Sequence, residues 1–386
     1  MATQSPLDEW QEQLVHQIVN WPFYEPLDAM RRLAGAWLDA GAITRSETPY
    51  RIVHMEPGVS VRAYATQNTG PAVLLVPAPI KSSRIWDLTP RASVVRHLLA
   101  RGFRVYLADW MRPTANERTL DLADYADRLL GNCVAAVREQ TGESRVRIAA
   151  HSLGGTFAAI FAALYPDRVE ALVLLGAPVN FGSDFGVFAP IVALSPPAER
   201  VTAVHGNVPG SFLSSVSVLA SLETFAWSRL EDFVHCLPDA EAMEIHAAVE
   251  RWTLDEKPLA ARLFEDVWEL LFRENRFMAG TLVLHERSVT PASVTSPLLC
   301  VVDAHCAVAP PPAMLPFYKA AASRDKKLLW YESESGVSIK HVGMLVGRGA
   351  HRTLWPVISE WLRGVAEASE ASSPDRELAG DHTPPE

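Results

Sequence analysis

Apolar residues recur at helical spacing near the start of the chain: Trp10, Leu14, Ile18 and Trp21, then Leu27, Met30, Leu33 and Trp37. Steps of three and four place them on one face, so residues 7–40 are expected to be helical. Pro22 and Pro26 are expected to split the stretch into two helices. Such amphipathic helices read as packed on their own domain; a docking arm for a partner is the other reading.

The pattern changes near residue 50. "YRIVHM" and "VSVRAYAT" are short β-like runs that predict a hairpin. "AVLLVPAP" is a short apolar run, as in a strand buried on both faces, and "FRVYLADW", "VRIAA" and "VEALVLLGAP" read as further strands. Between them lie helical patterns: "SVVRHLLARG", closed by Gly102, "LADYADRLLGNCVAAVREQTG" and "GTFAAIFAALYP". Strands alternating with helices predict a mostly parallel sheet covered on both faces. Residues 178–290 break the rhythm with a Pro-punctuated apolar stretch and then long helical patterns. They are expected to form a cap over the sheet. "SPLLCVVDA", "MLPFYKAAAS", "KLLWYES" and "TLWPVISEWLRGVAEA" then restore strand, helix, strand and helix. The expected organisation is a helical arm (1–45), a first core part (46–177), a cap (178–290), a second core part (291–368) and a polar, disordered tail (369–386).

Composition narrows the function. The 386 residues are 48% hydrophobic, enough to bury a large core. A formal net charge of −10 argues against nucleic acid as a partner. The four cysteines show neither metal-ligand spacing nor the density of a secreted disulfide scaffold. No basic-then-apolar leader opens the sequence, and no apolar run approaches the roughly 18 residues of a membrane span. A cytoplasmic protein is expected. G-x-G-x-x-G after a first strand, a P-loop and H-E-x-x-H are all missing, so no metal or organic cofactor is implied.

The candidate chemistry lies in "IAAHSLGGTF", residues 148–157. A serine nucleophile on a strand–turn–helix needs small residues two before and two after it. Ala150 and Gly154 hold those places around Ser152, an Ala variant of G-x-S-x-G. The Leu153 N–H, opening the next helix, is one expected oxyanion donor. A second should follow the strand "AVLLVP", where prolines leave Ile80 as the first donor past Ala78. The base should be a late histidine, and "SIKHVGM" supplies His341. The acid that orients it should follow "SPLLCVV", where Asp303 is the carboxylate at hand.

These residues resemble the polyhydroxyalkanoate synthase family, α/β-hydrolase-fold enzymes that polymerise 3-hydroxyacyl-CoA. The likeness runs through residues 77–110, the segment "HSLGGTFAAIFAALYPDRVEALVLLGAPVNF", the cap stretch 251–280 with "RWTLDEKPL", and "KHVGMLVGRGA". It implies an acyl-CoA or polyester substrate. It also implies a partner subunit, as for the shorter members of the family, or a homodimer, and association with polyester granules. Two departures stand out. The family's nucleophile is a cysteine, whereas Ser152 is here. The family's acid aligns with His305, two residues beyond Asp303, so His305 is a candidate substitute at the acid position.

Serine shifts the expected outcome. A cysteine acyl-enzyme is a thioester, and its transfer to a hydroxyl runs downhill. A serine acyl-enzyme is already an oxoester, so transfer to another hydroxyl is nearly balanced while transfer to water still runs downhill. The expectation is therefore a hydrolase, a thioesterase or esterase acting on hydroxyacyl groups. Polymer synthesis or acyl transfer is the alternative. A weakly active homologue that binds granules or a synthase is a third reading.

Overall fold

The computed structural model describes residues 17–40, 47–64 and 67–371. The first expected helix starts outside these residues, and so does the tail from Ser372. The second is α1 (Tyr24–Ala40). Pro26 lies in its first turn, where a missing N–H costs nothing, and the expected break between the two helices falls at residues 20–23.

Strands β1 (Tyr50–Glu56) and β2 (Val59–Tyr64) form the expected hairpin. Its turn holds Gly58 at φ +101°, a conformation that a side chain would strain. Then come β3 (Ala72–Val76), α2 (Val94–Ala100), β4 (Arg104–Trp110), α3 (Leu130–Thr141), β5 (Val146–His151), α4 (Leu153–Leu164) and β6 (Val169–Leu175). The helical pattern before α3 opens with a wide π turn over Asp124–Leu129, and Gly142 closes α3 at φ +76°.

The cap follows as helices α5 (Ala189–Leu194), α6 (Ala198–His205), α7 (Gly210–Ala220), α8 (Ser228–Cys236), α9 (Ala240–Thr253), α10 (Ala261–Asp266) and α11 (Arg276–Ala279). A short hairpin, β7 (Leu282–Leu284) with β8 (Arg287–Val289), leads back to the core. The core closes with β9 (Leu298–Asp303), α12 (Leu315–Ala320), β10 (Lys326–Tyr331), α13 (Gly343–Val346) and α14 (Trp355–Ala371).

The large sheet runs β1-β2-β4-β3-β5-β6-β9-β10. β3 pairs parallel with β4 and β5, and β5–β6, β6–β9 and β9–β10 are also parallel. The β1–β2–β4 edge is antiparallel. This is an α/β-hydrolase fold with a helical cap inserted after β6. Every residue of β5, β6 and β9 is buried, which explains their mostly apolar sequences, with Arg147, His151, Glu170 and Asp303 as buried exceptions. One apolar cluster joins α3, α4 and the cap on one face, and a second joins α2, α9 and α14 on the other.

The cap is tied to the core by its segment 256–259. Glu256 bridges backbone-to-backbone with Lys81 of the core, and within the cap Val208 does so with Leu259. The Lys257 N–H donates to the Ile80 carbonyl (2.8 Å), while its ammonium lies 3.1 Å from Asp109. Burial alone would raise the Asp109 pKa, but Lys257 and Arg62 outweigh it and hold the carboxyl below its ordinary value.

Candidate active site

Strand β5 ends at His151, α4 begins at Leu153, and Ser152 forms the corner at φ 55°, ψ −135°. A non-glycine residue there is strained, and the surroundings hold it. The Ser152 N–H donates to the Leu175 carbonyl (3.1 Å), and the Gly155 N–H donates back to the Ser152 carbonyl (2.8 Å). The small residues are sterically required. A Cβ on Gly154 would lie 2.3 Å from the Pro77 carbonyl oxygen, and one on Gly155 would lie 2.4 Å from the Ala177 Cβ. The turn can therefore sit against β3 only with glycine after the serine.

His341 arrives from the other half of the core, on a single helical turn, Lys340–Val342, after β10. Its Nε2 is 2.9 Å from the Ser152 Oγ. The two expected partners, 189 residues apart, thus meet at hydrogen-bonding distance. Leu153 and Ile80 line the same cavity as Ser152 and His341, beside Pro77 and Ala78.

The far side of the imidazole departs from the expectation. Its Nδ1 faces the Cys306 Sγ at 3.2 Å and not a carboxylate. Asp303, fully buried at the end of β9, is committed to its own turn. One oxygen accepts the His305 N–H (2.8 Å), and the other accepts the Ser333 hydroxyl. The Cys306 N–H donates to the Asp303 carbonyl at 3.2 Å, completing a tight turn that aims the thiol inward. The His305 side chain is 70% exposed with its Nδ1 3.8 Å from the Asp303 carboxylate, while the place beside His341 Nδ1 is held by Cys306. Asp303 shapes the loop, and Cys306 meets the histidine. The run "DAHC" carried this third member, but any of its four residues could have faced inward.

His151 is a second residue that the motif reading passed over. Its ring lies 4.7 Å from that of His341, and its Nε2–H donates to the His341 carbonyl (3.0 Å). Burial pushes the His151 pKa down to about 4. Burial, with a smaller repulsion from His151, likewise lowers the His341 pKa well below its ordinary value. Burial thus favours the neutral form of both rings.

Above the pair lies a cavity of about 210 Å³ with an apolar lining. Phe181, Phe185, Phe188, Phe264, Trp268 and Phe272 supply its cap side. Phe181 and Phe272 are 4.8 Å apart, and Phe264 stacks on Trp268 at 5.4 Å. Of the apolar stretch Phe185–Leu194, Phe185 and Phe188 line this cavity, while Val192 is buried and Leu194 is exposed. At the rim, Lys81 pairs with Glu256 (2.6 Å) and lies 5.4 Å from the Trp252 ring. No helix among the described residues is long and apolar enough to cross a membrane.

Comparison with known proteins adds the family. The alpha/beta hydrolase fold family matches residues 71–268. The poly(3-hydroxyalkanoate) polymerase subunit PhaC of Haloferax mediterranei is 30% identical over 343 residues, which covers 87% of this chain and 68% of that protein. The chain belongs to the PhaC family. The PhaC subunit of Allochromatium vinosum is 26% identical and is matched over 96% of its own length, with 88% of this chain. Among solved structures, a monoacylglycerol lipase of Paleococcus ferrophilus superposes with a TM-score of 0.52 at 18% identity, covering 81% of this chain and all of that one. That likeness is one of fold. The PhaC relationship accounts for the cap as well as the core, since these matches run well beyond either part.

Proposed function

We propose that this PhaC relative transfers 3-hydroxyacyl groups from a thioester donor to a hydroxyl acceptor through an ester on Ser152. The observation that carries this is the Ser152–His341 pair, 2.9 Å apart on the floor of an apolar, cap-covered cavity. Ser152 Oγ attacks the thioester carbon while His341 Nε2 takes its proton. The Leu153 and Ile80 N–H groups hold the oxyanion. The C–S bond breaks, and the departing thiolate takes the proton from His341. The acceptor hydroxyl then gives its proton to His341 and attacks the ester carbon, and Ser152 leaves with that proton. When the acceptor is the hydroxyl of another hydroxyacyl group, the product is an ester one unit longer.

The apolar cap side of the cavity favours an acyl acceptor over water, with Lys81, Ser82, Ser214, Ser217 and Glu256 as polar exceptions in the lining. The names of the curated PhaC relatives point the same way. This moves the reading from the hydrolysis expected on sequence to its alternative. Hydrolysis remains the second reading because Ser152, unlike cysteine, forms an oxoester whose transfer to a hydroxyl gains little free energy. The test is incubation with 3-hydroxybutyryl-CoA, following CoA release and product together, with Ser152→Ala as control. Oligomeric or insoluble ester supports transfer. One free 3-hydroxybutyrate per CoA overturns it in favour of hydrolysis. No CoA release and no labelling of Ser152 by a phosphonate would favour a binding protein.

A further inference from the structure

Cys306 stands where a serine–histidine pair normally meets a carboxylate, and its surroundings are built. It is 2% exposed, its Sγ is 3.2 Å from His341 Nδ1, and the Ala309 N–H donates to the same sulfur at 3.4 Å. The loop that presents it is fixed by the two Asp303 carboxylate bonds, to the His305 N–H and to the Ser333 hydroxyl. Sulfur aimed at a backbone N–H is arranged as an acceptor. A second donor that fits it is the Nδ1–H of His341.

We propose that Cys306 is the positioning residue of the base: its sulfur accepts the Nδ1–H of His341, which leaves Nε2 bare toward Ser152. This deepens the proposed function and rests on it for the roles of Ser152 and His341. The tautomer matters because a proton on Nε2 would block removal of the serine proton. A thiol fixes the tautomer but brings no charge. Burial pushes its pKa up to about 11, so it is neutral beside the ring near pH 7. The groups facing His341 are Ser152, Cys306 and His151, with Asp303 one step behind the thiol. None of the three in contact is an anion, so the imidazolium formed during attack is not neutralised by a partner. The site is a serine–histidine pair with a weak third member, and a carboxylate at 306 should strengthen it.

The test uses the full chain with ¹⁵N-labelled histidine, in the wild type and in Cys306→Ala, Cys306→Asp and Cys306→Ser. NMR reads the His341 tautomer and titration, and a fluorescent phosphonate reads the rate of Ser152 labelling against pH. The wild type should carry its proton on Nδ1. Cys306→Asp should move the His341 titration up by one pH unit or more and speed labelling tenfold or more. Cys306→Ala should shift the tautomer toward Nε2–H and slow labelling about tenfold. If the aspartate variant does not fold, Cys306→Ser takes its place, because a hydroxyl should keep the Nδ1 proton and a methyl should not. An unchanged tautomer and titration in the variants would overturn the proposal. The expected NMR changes with no labelling of Ser152 would uphold the pairing and instead overturn the function proposed above.

Discussion

Asp232 offers a test of how the cap governs the base. This side chain, on α8, reaches across to the loop that carries His341. Its oxygens accept the Gly336 N–H (2.6 Å) and the Ser338 N–H (2.7 Å), and one lies 2.9 Å from His246 Nδ1 on α9. Ser338 sits at φ +60°, a strained conformation three residues before His341. Asp232→Ala would leave three donors without their acceptor. A buried donor left unpaired costs about 1–3 kcal/mol, and water entering the gap recovers part of this, so a total near 3–5 kcal/mol is expected. Asp232→Asn keeps one acceptor oxygen and should lose roughly half as much. Urea unfolding followed by tryptophan fluorescence measures both. The same variants should label Ser152 with a phosphonate at least tenfold more slowly, because a base displaced by an ångström loses most of its effect. A loss below about 1 kcal/mol in the alanine variant, with wild-type labelling, would refute the idea that the cap clamps this loop.

Four further outcomes are expected. The acid limb of Ser152 labelling should lie below pH 6.5, because the His341 pKa is lowered and the ring stays unprotonated as pH falls toward that value; a limb above 6.5 would contradict the burial argument. Stability should also fall on the acid side. The folded His151 pKa is about 4 against an ordinary 6.5, so between these values the unfolded chain binds the extra proton, and by pH 5 this one group costs about 2 kcal/mol; chemical unfolding at pH 7 and pH 5 checks it. Asp303→Asn should slow labelling by less than tenfold, since its partners are the His305 N–H and the Ser333 hydroxyl; a triad acid would cost about 10⁴-fold. Gly154→Ala should lose about 3 kcal/mol or more against the unyielding Pro77 carbonyl, whereas Gly364→Ala, with open space at its Cβ in α14, should gain about 0.5–1 kcal/mol in the same unfolding assay.

The two halves of the site differed in how readable they were, and the difference is physical. The serine corner is a local object. A buried strand, one strained residue and glycines against a neighbouring backbone must occur within ten residues, so "IAAHSLGGTF" exposes it directly. The parallel sheet was readable for a similar reason, because strands buried on both faces are mostly apolar, with few exceptions such as Arg147 and Glu170. His341 required only that a histidine follow the last strand. The acid position is a different kind of object. β9 delivers its end to the right place, but which of Asp303, Ala304, His305 or Cys306 faces the imidazole depends on how the turn closes.

That closure is decided by bonds invisible in the pattern. A carboxylate at the strand end has two ways to be satisfied, by the histidine or by its own loop. Here the His305 N–H and the Ser333 hydroxyl take both of its oxygens. Once they do, the chain turns so that Cys306, and not Asp303, reaches His341. The cap was legible as an insertion but not helix by helix, because its outer face keeps large apolar residues. Trp227, Leu230, Val234 and Leu237 are all more than half exposed, so apolar spacing there does not mark the buried side. In each case the local rule was sound, and a partner distant in sequence chose between its two outcomes. At the acid position that choice sets the charge beside His341, and so, on the proposed mechanism, the ease with which Ser152 would be activated.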